Sequence, residues 1–150
     1  MLFGGCGFQL QGTDIKELGS LSLSGPVAEQ FRRALLHSFE DYGLKVVSAG
    51  PGIIDVKLID SITSRRPIST SARINTAQYE LRLELIIGLT LDNKPVNKDI
   101  PLSVGRIYSV DPGNLSGSYE EQQTLISDME DEVGAMIVRL LETWMDNRRI

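Results

Sequence analysis

A chain of 150 residues, 41% hydrophobic and 23% charged, has the make-up of a folded protein of one domain, long enough to bury about two thirds of its unfolded surface in a single core. Its net charge of −5 argues against a general nucleic-acid binder, which carries a basic face. No apolar run nears the roughly 20 residues that cross a bilayer, the longest being broken by Glu80, Arg82 and Glu84, and the single cysteine excludes an internal disulfide.

That cysteine, Cys6, follows Leu2-Phe3-Gly4-Gly5. An apolar residue and two small ones before a cysteine look like the end of a bacterial lipoprotein signal. The small residues admit a peptidase to the backbone, and the thiol takes the diacylglyceryl group. Phe3 stands where leucine is commoner, and Met1 to Gly5 is too short for a full n-region and h-region, so these residues are expected to be the remnant of a longer signal.

Ser20-Leu21-Ser22-Leu23-Ser24 alternates with period two and predicts a first strand. Gly25-Pro26 then starts a helix whose apolar stripe is Val27, Phe31, Leu35, Phe39 and Tyr42, stopped by Gly43. His37 falls off that stripe and is expected to face solvent. Val46-Val47 and Ile53-Ile54 flank the turn Ala49-Gly50-Pro51-Gly52 and lead into a second strand through Val56, Leu58 and Ile62, fraying at Arg65-Arg66-Pro67. In YELRLELIIGLTL the odd positions from Tyr79 to Leu91 are apolar while Glu80, Arg82 and Glu84 are even. Such a strand, about 43 Å long, should project past its core.

Asp92-Asn93-Lys94-Pro95 reads as a hairpin turn, with its tip at 92–98 as the reaching end. Val96 to Val110 reads as the returning strand, with Ile100, Leu102 and Val104 on one face. Ser118 and Glu121 form a capping box before a long helix striped by Ile126, Met129, Val133, Ile137, Leu140 and Trp144. From 107 to 147 the chain holds nine acids against Arg139 alone, read as the solvated face of that helix, whereas 57–106 carries a balance of +3. The predicted fold is α+β: a four-stranded mixed or antiparallel sheet with two helices on one face, in the order β-α-β-β-β-α.

Catalysis finds no support. The sole His37 sits mid-helix with no nucleophile elbow before any serine, and one His and one Cys cannot make a zinc site. No phosphate-loop motif follows the N-terminal glycines, and no apolar pocket is implied around the helix carboxylates. Neither a catalytic residue, a metal site nor a cofactor is expected. A binding role remains. Arg65, Arg66 and Arg73 gather around the second inter-strand connection. They read either as solvated loop side chains or as an anion site, since guanidinium groups match phosphate geometry and each charge-assisted contact contributes about 1.5–3 kcal/mol.

Taken together, Cys6-Gly7-Phe8-Gln9-Leu10, Thr76-Ala77-Gln78-Tyr79-Glu80-Leu81, Tyr108 with Asp111-Pro112, and Glu121-Gln122 followed by Ile126 and Met129 resemble the LptE family, the LPS-assembly lipoprotein or RlpB, in order along the whole chain. The resemblance implies a single non-enzymatic domain over 1–150, lipidated at Cys6 and anchored at the periplasmic side of the outer membrane of a Gram-negative bacterium. It further implies that the domain plugs the lumen of the β-barrel LptD, assists that barrel's assembly and binds lipopolysaccharide. Arg73 lies near a basic lipopolysaccharide position of the family once a one-residue gap is allowed, and Ser118 stands where the family can show another base. The rival reading is an accessory lipoprotein of another envelope transport, pilus or secretion machine, without lipopolysaccharide binding.

Overall fold

The computed structural model describes residues 15, 18–70 and 77–148. In chain order the elements are β1 (Ser20–Ser24), α1 (Glu29–Asp41), β2 (Lys45–Val46), β3 (Ile54–Thr70), β4 (Ala77–Leu91), β5 (Lys94–Pro95), β6 (Ile100–Val110) and α2 (Leu115–Arg148). The α+β class agrees with the sequence reading, but the sheet has six strands rather than four. The additional strands are the two-residue β2 and β5, too short to carry a period-two signal. The sheet runs β2-β1-β3-β4-β5, with β6 also paired to β4. β1 is parallel to β2 and β3, while β3, β4 and β6 are antiparallel.

β4 organises the core. Leu81, Leu83, Leu85, Ile87 and Leu89 are all buried beneath the helices, whereas Arg82, Glu84 and Ile86 alternate onto the open face. Each buried Leu or Ile contributes about 1.5–3 kcal/mol relative to exposure. The expected projection of this strand does not occur. β4 has 15 residues and α2 has 34, so strand and helix both span about 50 Å and keep pace along their length. The hairpin turn is no outlying tip either. Asp92 and Asn93 take φ values of 50° and 62°, the left-handed pair of a tight turn, and an Asp92 carboxylate oxygen accepts the Gly52 N–H at 2.8 Å beside the core. The returning strand starts only at Ile100, after the segment 96–99 loops off the sheet.

β3 departs most from its predicted course. It does not fray at Arg65 but continues to Thr70, and Pro67 is tolerated because no described strand pairs on the outer side there. A bulge between Leu58 and Asp60 inserts Ile59 and reverses the alternation. Val56 and Leu58 are buried opposite Leu89 and Ile87, yet Ile62 pairs with Glu84 and is 51% exposed on the open face. Gly25 marks the same place from the other side. Its φ is 113°, and a Cβ there would lie 1.9 Å from the Leu58 carbonyl oxygen, so β1 leaves β3 where the bulge begins.

α1 buries Phe31, Leu35 and Phe39 as its stripe requires, begins at Glu29 rather than at Pro26, and ends before Gly43 at φ 79°. His37 faces solvent, 4.0 Å from the Asp41 carboxylate. α2 starts one turn before the expected capping box: Asn114 Oδ1 accepts the Gly117 N–H at 3.1 Å, while the buried Ser118 hydroxyl accepts the Asp111 N–H at 3.0 Å. Its buried face holds two rows, Met129-Val133-Ile137 and Gly134-Val138-Leu141, wider than the predicted stripe because α1 packs beside it. The acids of α2 are not all solvated. Glu132 pairs with Arg106 of β6, and burial, with the Asp131 charge adding, raises the Glu130 carboxyl above its ordinary range.

The helices meet at Gly134, where a Cβ would fall 2.2 Å from Ser38 Oγ and 2.8 Å from its Cβ. Gly134→Ala should therefore destabilise by about 1–3 kcal/mol through overpacking, and adding Ser38→Gly should recover part of that loss. Urea unfolding of the parent, single and double variants measures both effects, and equal midpoints for parent and Gly134→Ala would refute the close crossing.

Candidate functional site

The functional candidates lie where β3, β4 and β6 run side by side beyond the end of β1. Arg65 and Arg66 are consecutive in an extended strand, so they point to opposite faces, and the register confirms it: Arg65 is opposite Leu81 and Arg66 opposite Glu80. The structure does not bring these two guanidinium groups together. Arg73 and Cys6 lie outside the described residues.

On the helix side, Tyr79 and Tyr108 are cross-strand partners with ring centroids 5.9 Å apart. The Arg65 guanidinium stacks 4.2 Å from the Tyr79 ring centre and donates to the Tyr108 hydroxyl at 3.2 Å. Tyr108, itself buried, donates in turn to Gln122 Oε1 of α2 at 3.0 Å. Asp111 and Ser118 close the turn into α2 next to this chain of contacts. The cluster thus ties three strands and a helix together and holds one guanidinium in a fixed orientation at the surface.

On the open side, Glu80 is shared by two guanidinium groups, Arg66 Nε and Arg82 Nη2, each at 3.2 Å from the same carboxylate oxygen. The Arg66 hydrogen bond holds the Glu80 carboxyl below the ordinary carboxylate range; burial opposes that, and the Arg66 and Arg82 charges reinforce it. Two cations on one anion leave this row net positive. Next to it Ile62, Ile86 and Pro101 line a shallow apolar depression of about 240 Å³ rimmed by Asp60, Glu84 and Ser103, and Ile107 is 63% exposed. The arrangement suits surface recognition. Among the described residues no three His, Cys, Asp or Glu group as a metal site, and no helix is long and apolar enough to cross a membrane.

No family model matches the chain, and no curated protein does. Solved structures do. Rare lipoprotein B from Shewanella oneidensis superposes with a TM-score of 0.73 at 21% identity, over 87% of this chain and 99% of that one. The chain has the rare lipoprotein B fold. A minor lipoprotein from Acinetobacter baumannii gives a TM-score of 0.69 at 14% identity, covering 84% of this chain and 92% of its own. An uncharacterized lipoprotein B from Nitrosomonas europaea gives 0.64 at 19% identity, covering 93% of both. The resemblance to the LptE (RlpB) family drawn from the residues is met at the level of the fold.

Within the rare lipoprotein B fold, several of the residues that carried the resemblance sit together. Tyr79, Tyr108 and Gln122 form one chain of contacts at the end of the β4–β6 pair, and Asp111, at the turn beyond it, bonds Ser118, which is a departure from the resemblance. The Arg65 link to Tyr108 was not legible, because it joins residues 43 positions apart through a register that the bulge sets. Also unforeseen are the Asp55 carboxylate, which accepts the Ser22 and Ser24 hydroxyls at 2.6 Å each, and Arg32 of α1, which donates to the Leu23 carbonyl at 3.0 Å and to that of Gly25.

Tyr108→Phe should cost about 1–3 kcal/mol by leaving Gln122 and Arg65 without their shared hydroxyl, measurable by urea unfolding. Glu80 has a definite pH signature. Its folded carboxyl is held below the unfolded value, so the pairing stabilises fully above the ordinary Glu range, near pH 4.3, and that contribution is lost as pH falls through the lower folded value. Glu80→Gln should lower Tm slightly at pH 7, and the gap to the parent should close below about pH 4. A gap that widens in acid would contradict the pairing.

Proposed function

We propose that this chain is a non-enzymatic envelope lipoprotein, lipidated at Cys6, that occupies the lumen of an LptD-type outer-membrane β-barrel, assists its assembly and binds lipopolysaccharide on the periplasmic side. The observation that carries this reading is the match to rare lipoprotein B, which takes in 99% of that chain. Two physical features agree with it. A sheet face uncovered by helices, mixing Ile62, Ile86 and Ile107 with Arg66, Glu80 and Arg82, is the kind of surface that meets a polar barrel interior. Lipid at Cys6 would add about 0.8 kcal/mol per buried CH₂, so two or three acyl chains anchor stably where one is marginal.

Lipopolysaccharide binding is assigned to Arg65, Arg66 and Arg73. Because Arg65 and Arg66 face opposite ways, they would contact an extended anionic ligand separately, and their losses should add. The same separation favours the rival, an accessory lipoprotein of another envelope machine without lipopolysaccharide affinity, since each of the two already has a partner within the fold.

Tagged protein purified from native envelopes should bring down a large β-barrel protein and show acyl mass at Cys6 by mass spectrometry; unmodified Cys6 or the absence of a barrel would overturn the reading. Arg65→Glu and Arg66→Glu should each weaken lipopolysaccharide binding several-fold, more at low salt than at high. Unchanged affinity in the double variant would remove the anion role and leave the rival.

A further inference from the structure

The outer edge of β3 is left open beyond the end of β1 among the described residues. β1 pairs with β3 only from Ile54 to Lys57. From Asp60 to Thr70, past the Leu58 backbone that Gly25 covers, no strand among the described residues lies on that side, so the backbone groups that alternate away from β4 point outward along the edge. The faces of this stretch are bare as well. Thr63 and Arg65 on the helix side and Ile62 and Arg66 on the open side are all exposed, because the bulge turned the apolar residues of β3 away from the helices. Sheet edges of this length are ordinarily short, covered or guarded by charge. Here the guard is cationic toward the Thr70 end, Asp60 lying near the other: Arg65 is stacked on a ring and bonded to a phenol rather than to a carboxylate, and Arg66 shares its one carboxylate with Arg82.

A positive, unpaired edge discriminates among strands that could add to it. A second β3 would bring arginines against arginines, whereas an acidic strand gains on both faces at once and pairs its backbone in addition. We propose that the outer edge of β3 between Asp60 and Thr70 accepts an extended acidic segment of a partner polypeptide as an added strand. The backbone ladder supplies the affinity, and Arg65 and Arg66, one on each face, select for acids and set the register. The inference does not depend on a barrel partner or on lipopolysaccharide.

The test is amide hydrogen exchange by NMR on the full chain, with a ten-residue peptide of alternating Thr and Val that carries four Glu as probe. Two control peptides replace those Glu by Lys or methylate alternate backbone nitrogens. In the free chain, alternate amides from Asp60 to Thr70 should exchange orders of magnitude faster than those bonded to β4. The acidic peptide should protect them at concentrations up to about 1 mM, and this protection should weaken several-fold as salt rises to about 0.5 M. Arg65→Glu/Arg66→Glu should weaken it roughly tenfold, while the pattern of the free chain shows the fold retained. Four results would overturn the proposal: uniform protection in the free chain, protection that grows with the chain's own concentration, equal protection by the lysine or methylated peptide, or none at the highest peptide concentration.

Discussion

The constraint on which the structure turns is one extra residue in β3. Ile59 has no partner across from it, and from Asp60 to Pro67 each side chain faces the opposite side from the one its parity requires, until a second register shift at Ile68. Before the bulge, β3 is a central strand that places Ile54, Val56 and Leu58 in the core between β1 and β4. After it, the same strand is an edge whose helix side carries Ser61, Thr63 and Arg65 and whose isoleucines look outward. Gly25, seated against the Leu58 carbonyl, makes the change of role and the departure of β1 one event.

The two arginine clusters follow from that division. Arg65 comes over the Tyr79 ring only because the shifted register sets it opposite Leu81, and Arg66 reaches Glu80 for the same reason. Were Ile59 paired with Ile86 in a regular ladder, Arg65 would fall opposite Glu80 on the open face and Arg66 opposite Tyr79. The bulge thus distributes two adjacent positive charges over two faces, where a straight strand would have exchanged them.

Elements with a strong period were legible in the sequence: the β4 alternation, the α1 stripe of Phe31, Leu35 and Phe39, and the α2 row of Met129, Val133 and Ile137 all report burial on one side. The bulge was not legible, because Leu58-Ile59-Asp60-Ser61-Ile62 carries no glycine or turn residue to mark it, and Ile62 fits the wrong alternation as well as the right one. β2 and β5 were missed because two residues cannot show a period. Ser118 had the right composition for a cap but the wrong place, since Asn114 lay one turn earlier and took the role. The partition of Arg65 from Arg66 depended on long-range pairing that no local pattern encodes.

The sheet tapers. It is five strands wide where β2 and β1 flank β3 and β5 closes the turn, and only three wide at the level of Arg66, Glu80 and Ile107. The chain enters at the broad end, where Leu18 lies beside Leu91 and Trp144. A body of this shape has unlike ends, one knitted by five strands and the other by three, so loosening of the ladder begins at the narrow end.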